Sequence, residues 1–270
     1  MLFDTHAHLD FPDFENDLDA LLARAEAAGV TRINTIGTTI EGSRQAVALA
    51  EKYSQVYAVV GVHPNSADEA GDHCIDELRQ IAQNPRVVAI GEAGLDYYRL
   101  PGKQAPDDPT AAERDRAIKA KQATVFQQQL DLAVELGLNI VIHERDAWDD
   151  TLAVLRPYTG KLRAVYHCFG KSPAHARVLL ELGHMMSFTG IVTFKNAAEA
   201  QDTARQIPPE SFMFETDCPF LAPVPYRGKR CEPAYTRQTA EYVALLRGES
   251  FAALAERTSR NATAFFRYPN

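Results

Sequence analysis

Eight short apolar segments recur along the chain, and amphipathic segments of helical length lie between them. The apolar segments predict eight β-strands: Met1–His6, Arg32–Ile36, Val56–Val62, Val87–Glu92, Leu138–His143, Arg163–His167, Met185–Thr189 and Ser211–Thr216. Three amphipathic segments end at Gly29, Gly137 and Gly183, where we expect left-handed helix caps. This alternation predicts an α/β fold of the (β/α)8 type, a TIM barrel. Since no linker or internal repeat interrupts the pattern, we predict one domain over residues 1–270, with a doubly wound open sheet as the structural alternative.

The composition restricts the class of protein less than the strand pattern does. No run approaches the roughly 18 apolar residues of a membrane span, and no signal peptide opens the chain, so we expect a cytoplasmic protein without a membrane partner. The four cysteines form no CxxC pair, which favours reduced thiols. A net charge of −8 argues against a protein with a broadly basic surface that binds nucleic acid, but it does not exclude a nuclease, because metal ions can supply local positive charge.

Most of the histidines cluster at the predicted carboxyl ends of strands, which is the catalytic face of this fold. Five of the eight histidines lie there, and two carboxylates accompany them. In chain order these residues are His6, His8, His63, Glu92, His143, His167 and Asp217. Chance would scatter histidines over helices and loops, so the clustering indicates a functional site.

The first two of these histidines, in the stretch FDTHAHLD, have a spacing that suits metal binding. If the stretch is a strand, His6 and His8 point to one face with α-carbons roughly 6–7 Å apart, so both imidazoles can reach one cation. Four imidazoles and two carboxylates suit two divalent ions such as Mg, Mn or Zn, and a carboxylate such as Glu92 can bridge them. The alternative for His6 and His8 is a polar pair at the barrel end.

The motifs at these strand ends resemble those of a known family. The stretches DTHAHLD, GVHP, GEAGLDYY, IHERDA, HCF, SFTGIVTFKNA and ETDCPFLAP with YRGKRCEP are similar, in this order, to the TatD family of metal-dependent deoxyribonucleases. The resemblance implies an amidohydrolase-type TIM barrel with two metal ions and phosphodiesterase activity on DNA. It also implies metal ligands, with Glu92 as the bridge: His6, His8, Glu92, His143, His167 and Asp217.

One segment departs from the family pattern. Residues Arg99–Gln122, after the fourth predicted strand, look longer than the usual connection. Prolines at 101, 106 and 109 predict that the first half of this segment is extended. We expect the segment to form part of a wall or lid over the metals, and the alternative is a mobile solvated insertion.

Two residues at the ends of strands three and five are candidates for substrate contact. His63 either orients the substrate phosphate or caps the barrel. Arg145 carries a guanidinium that matches phosphate bidentately, and the alternative is an ion pair with Asp146 or Asp149.

Two basic residues in later loops are further candidates. Lys195 follows the seventh predicted strand, where barrels often bind phosphate, although a solvated lysine fits equally well. Arg227 opens the run RGKR beside the eighth strand, which is either a patch that tracks a nucleic acid strand or a solvated face.

The expected reaction is hydrolysis of DNA phosphodiester bonds, exonucleolytic at single strands or strand ends, by a water that two metal ions activate. Asp217 and Glu92 are the catalytic residues, because Asp217 orients the water and accepts its proton while Glu92 bridges the ions. We expect a monomer. The alternatives are a small-molecule amidohydrolase or esterase that uses the same metal site, and a scaffold that has lost catalysis.

Overall fold

The computed structural model describes residues 1–105 and 107–269, and it places eight parallel strands in one sheet with the order β1 to β8. The strands are β1 (Leu2–Ala7), β2 (Val30–Ile36), β3 (Val56–Val60), β4 (Val87–Asp96), β5 (Asn139–Arg145), β6 (Ala164–Tyr166), β7 (Met185–Phe188) and β8 (Phe212–Phe214). The sheet closes because the amide of Asp217 donates to the carbonyl of His6 at 2.8 Å, and the amide of His8 donates to the carbonyl of Cys218 at 2.9 Å. The TIM barrel is confirmed, and the sequential strand order excludes the doubly wound sheet.

The helices surround the barrel and begin and end where local chemistry favours it. They are α1 (Leu18–Ala27), α2 (Ile40–Lys52), α3 (Cys74–Ile81), α4 (Pro101–Gln104), α5 (Ala111–Leu136), α6 (Trp148–Leu155), α7 (Pro173–Glu181), α8 (Ala198–Gln206), α9 (Thr236–Arg247) and α10 (Phe251–Phe266). The Thr39 side chain caps α2 by accepting the amide of Gly42 at 3.0 Å. Gly137 ends α5 with φ +65°, a left-handed conformation that glycine adopts without strain. None of the described helices is long and apolar enough to cross a membrane.

Two hydrophobic layers stabilise the barrel. The outer layer lies between strands and helices, and the inner layer fills the barrel with side chains such as Phe3, Val59, Val141 and Met213. Aromatic residues of α10 and Tyr268 after it belong to this inner cluster. The interior is therefore packed, and the carboxyl ends of the strands are left to form the site.

The fourth strand and the segment after it differ from the prediction. β4 continues past Glu92 to Asp96, because residues 93 to 96 pair with β5 beyond a register shift. The first half of Arg99–Gln122 is not wholly extended, since Pro101–Gln104 is a short helix; Pro101 is tolerated in its first turn, where the missing amide has no intrahelical partner. Position 106, the second of the three prolines, lies outside the described residues.

Candidate functional site

The six predicted metal ligands converge at the carboxyl ends of the strands. His6 lies on β1, Glu92 on β4 and His143 on β5, while His8, His167 and Asp217 lie just beyond β1, β6 and β8. All but His6 line a cleft of about 310 Å³, and His6 is completely buried beneath it. Barrel closure accounts for this arrangement, because it brings residues more than 200 positions apart in sequence into contact.

Glu92 lies at the centre of the cluster, and each of its oxygens faces a different set of donors. Its Oε2 faces the first donor group, in which the Nε2 atoms of His6 and His8 lie 3.4 and 3.9 Å away. The carboxylate of Asp217 completes this group, since its Oδ1 lies 3.6 Å from His6 Nε2 and 3.3 Å from His8 Nε2.

The other oxygen of Glu92 faces the second donor group. Oε1 lies 2.7 Å from His143 Nδ1 and 2.8 Å from His167 Nε2, and these two nitrogens are 3.2 Å apart. One carboxylate is thus shared between two sets of ligand atoms, as a bridging ligand of a two-metal site requires.

The donor atoms suit divalent cations in chemistry and spacing. His6 Nε2 is buried and has no hydrogen-bond partner among the described residues, although it faces two carboxylates. Ligand atoms about 2.1 Å from a common ion lie about 3.0–3.4 Å from one another, which is close to the separations in both donor groups. Nitrogen and carboxylate oxygen together fit Zn and Mn, and the carboxylates also fit Mg.

The buried charges of the cluster depend on one another. Burial alone would raise the pKa of Glu92, but the imidazole of His167 and the hydrogen bond with His143 outweigh it and hold that pKa well below its usual value. Asp217 behaves in the same way: burial raises its pKa, while His8 and His6 lower it further than burial raises it. Both carboxylates are therefore anionic and available to a cation.

Residues behind the donors fix the orientation of the rings. His8 Nδ1 lies 3.2 Å from the carbonyl of Ile36, so it donates there and leaves Nε2 free for the first donor group. Behind the second donor group, Glu215 Oε1 lies 3.6 Å from His167 Nδ1, and Glu215 is held by the Cys168 amide and the Ser187 hydroxyl, both at 2.6 Å. The sequence led us to expect that Glu215 points away from the site, and this expectation is wrong. Glu215 lies two residues after the inner residue Met213 of β8 and therefore shares its face.

A second missed carboxylate is Asp96 at the end of β4. Its Oδ2 lies 3.3 Å from His143 Nε2 and accepts the side-chain amide of Asn65 at 3.0 Å. Burial raises the pKa of Asp96, but the contacts with His143 and its hydrogen bonds lower it to about 2. The stretch GEAGLDYY contains Gly94 (φ +148°), where glycine is required because a Cβ would lie 1.9 Å from the carbonyl oxygen of His143. This close approach of β4 to β5 brings Asp96, two residues later, next to the ring of His143.

His63 also lies beside the second donor group, but its hydrogen bonds differ from those of the predicted ligands. Its Nε2 is 3.2 Å from His143 Nδ1 and 3.7 Å from Glu92 Oε1. Its Nδ1 accepts the amide of Asn65 at 3.0 Å. Burial lowers the pKa of His63 to about 3, so the ring is neutral and carries its proton on Nε2, towards the cleft.

The three predicted basic residues occupy different places. Arg145 lines the cleft, and its guanidinium lies over the ring of Tyr98 at 3.7 Å rather than in an ion pair with Asp146 or Asp149. Asp146 pairs instead with Lys103 at 2.5 Å. Lys195 and Arg227 are exposed and are not among the described residues that line the cleft.

Comparisons with known proteins agree with this geometry. A sequence model of the family described as "TatD related DNase" matches residues 3–267. The chain is 37% identical over 268 residues to "Uncharacterized metal-dependent hydrolase YabD" of Bacillus subtilis, with 99% of each chain covered. It is 35% identical over 272 residues to "3'-5' ssDNA/RNA exonuclease TatD" of Cronobacter sakazakii, covering 98% of this chain and 97% of that protein. The solved structure of the TatD homologue YJJV from Escherichia coli matches with a TM-score of 0.87 at 29% identity, covering 99% of this chain and 98% of the other.

Proposed function

This chain belongs to the family of TatD-related DNases, which makes it a metal-dependent hydrolase, and we propose that it removes nucleotides from the ends of single-stranded DNA. The proposal includes two divalent ions, one in each donor group. The observation that carries it is Glu92, because its two oxygens face two separate sets of imidazole and carboxylate ligands.

Ions held in these two groups would supply Lewis acidity, which activates water and neutralises charge on the phosphoryl oxygens. Glu92 fixes the spacing of the groups. Asp217 reaches the cleft more readily than Glu92, since its side chain is 15% exposed and that of Glu92 is 4% exposed. We therefore assign to Asp217 the orientation of the attacking water and the acceptance of its proton.

His63 supplies a hydrogen bond from the other side of the cleft. Its neutral ring directs Nε2–H towards the space next to Glu92 and His143, where a phosphoryl oxygen would lie. A donor fixed in that position by the Asn65 amide orients the phosphate before the reaction and stabilises the charge that develops on it.

The shape of the cleft favours a polymer over a small molecule. Arg99, Arg145 and Phe220 are exposed at its mouth, so no closed apolar pocket covers the donors in the described chain. A small-molecule amidohydrolase is expected to enclose its substrate instead.

The test is hydrolysis by protein that has been stripped of metal and then supplied with Mg, Mn or Zn separately. Labelled single-stranded DNA, duplex DNA and RNA are compared with a small carboxylic ester and a small amide. We expect mononucleotides from single-stranded DNA, loss of nearly all activity in Glu92→Ala, and full activity in Leu245→Ala, whose side chain is exposed on α9. Turnover of the ester or amide without release of nucleotides would refute the proposal.

A further inference from the structure

The cleft above the donor groups has two walls of different chemistry. One wall consists of Phe11 and Phe220, whose rings lie 6.0 Å apart, and we call it the aromatic wall. Phe11 stacks on the ring of His8 at 4.8 Å, so this wall directly adjoins the first donor group. Phe220 is 51% exposed and offers the free area of its ring to the cleft.

The opposite wall is basic. Arg99 and Arg145 line the cleft after β4 and β5, and neither forms an ion pair within the part of the chain that the structure describes; we call them the cationic wall. Arg145 lies two residues beyond His143, so this wall adjoins the second donor group. The Arg145 guanidinium lies 3.7 Å from the centre of the Tyr98 ring, and this cation–π contact supports it at the edge of the cleft.

We propose that the two walls seat the end of a single DNA strand in one orientation, with the terminal base on the aromatic wall and the neighbouring phosphate on the cationic wall. This inference rests on the proposed function, since it takes the scissile phosphate to lie between the walls at the donor groups. On one side of that phosphate remains a terminal nucleoside, which has a base to stack but no further phosphate. On the other side the strand continues and carries a negative charge at every step.

The chemistry of each wall matches one of these two sides. An aromatic ring stacks with any unpaired base, so the aromatic wall binds a terminal base with little preference for its identity. A guanidinium binds a phosphate through two parallel hydrogen bonds, and the cationic wall offers two guanidiniums. The reverse orientation would leave the continuing phosphates against phenylalanine and both guanidiniums without an anionic partner.

The experiment compares oligonucleotides that differ only near the end that the protein shortens. One pair has either a normal or an abasic terminal nucleotide, and a second pair has either a normal or an uncharged methylphosphonate linkage next to the scissile bond. We expect the wild type to prefer the terminal base by about tenfold in kcat/KM, and Phe220→Ala to lose that preference while Phe220→Tyr keeps it. We expect Arg145→Gln to reduce the preference for the charged linkage, because only Arg99 remains on the cationic wall, and we expect Leu245→Ala to keep both preferences.

The controls separate this inference from the proposed function. If Phe220→Ala lowers kcat/KM equally on the normal and abasic substrates, the aromatic wall does not bind the terminal base, and this inference is overturned while the proposed hydrolysis of DNA stands. If the wild type cleaves none of the oligonucleotides, the proposed function fails. Fluorescence anisotropy of the same pairs with the wild type and with Phe220→Ala then decides whether the aromatic wall binds the terminal base. Tighter binding of the base-bearing strand that depends on Phe220 supports it, and equal binding of both strands overturns it.

Discussion

Replacement of His6 by alanine tests the metal centre through the stability of the protein. His6 is completely buried, and neither of its ring nitrogens has a hydrogen-bond partner among the described residues. Without metal, the substitution leaves a cavity, but it also removes two buried polar atoms that nothing satisfies. These effects oppose each other, and we expect the metal-free variant to lie within about 2 kcal/mol of the metal-free wild type in unfolding free energy.

Addition of metal should separate the two proteins. An ion at 100 times its Kd stabilises the wild type by about 2.7 kcal/mol, and each kcal/mol raises Tm by roughly 2–4 °C in a protein near this size. The expected rise is therefore about 5–10 °C for each occupied donor group. Loss of a direct ligand should weaken binding in the first donor group by at least the roughly 100-fold upper effect of residues behind the ligands. The contribution of that group then falls below about 2 °C, while the second donor group keeps its own contribution.

The measurement is differential scanning calorimetry of metal-stripped protein with and without added Zn or Mn. His184→Ala is the matched control, because His184 is also buried with an unpartnered Nε2 but precedes β7 at the other end of the barrel. Its metal-dependent rise should equal that of the wild type whatever its own basal Tm. If His6→Ala retains the full rise, His6 is not a ligand and the first donor group is wrongly assigned.

Three further changes test other parts of the structure. Glu215→Gln removes the carboxylate that faces His167 Nδ1 and should weaken metal binding by about 10- to 100-fold in isothermal titration calorimetry; unchanged affinity would contradict the role of Glu215. Burial lowers the pKa of His184 from 6.5 to about 4. The stabilising contribution of the neutral His184 ring is therefore fully present above pH 6.5 and is lost as the pH falls towards 4. Urea unfolding of His184→Asn should therefore show a smaller loss over that range, by about 3 kcal/mol, and the same loss as the wild type would refute the assignment. Arg145→Gln should make the salt dependence of log K for DNA shallower by roughly one unit, whereas Arg227→Gln, which lies against Phe194 outside the cleft, should not; equal slopes in both variants would exclude a phosphate contact at Arg145.

Much of this site could be predicted from the sequence because strand periodicity continues from the barrel interior into the cleft. On β5, the inner residue Val141 is followed at intervals of two by His143 and Arg145. On β8, Met213 fills the barrel, and Glu215 follows at an interval of two and faces His167. Asp217 lies beyond the strand with φ +59°, so its position in the first donor group does not follow from the alternation. A residue at the end of a strand that lies an even number of positions after an inner apolar residue therefore faces the site.

The same rule fails on β1 and β4, and these exceptions carry two of the predicted ligands, His6 of the first donor group and the shared Glu92. Phe3 faces the barrel interior, so regular alternation would send His6 outwards, but the pairing of β1 with β2 shifts between Asp4 and Ala7. On β4, Ile90 packs outwards and Glu92 points inwards across the shift in its pairing with β5. Since a one-residue change of register exchanges the faces of a strand, regular ladders at these two points would direct both side chains into the helical layer. The stretches around His6 and Glu92 therefore contain two strand irregularities as well as two predicted ligands. The position of both residues at strand ends and the resemblance to the family indicated the site, whereas periodicity alone could not predict the irregularities.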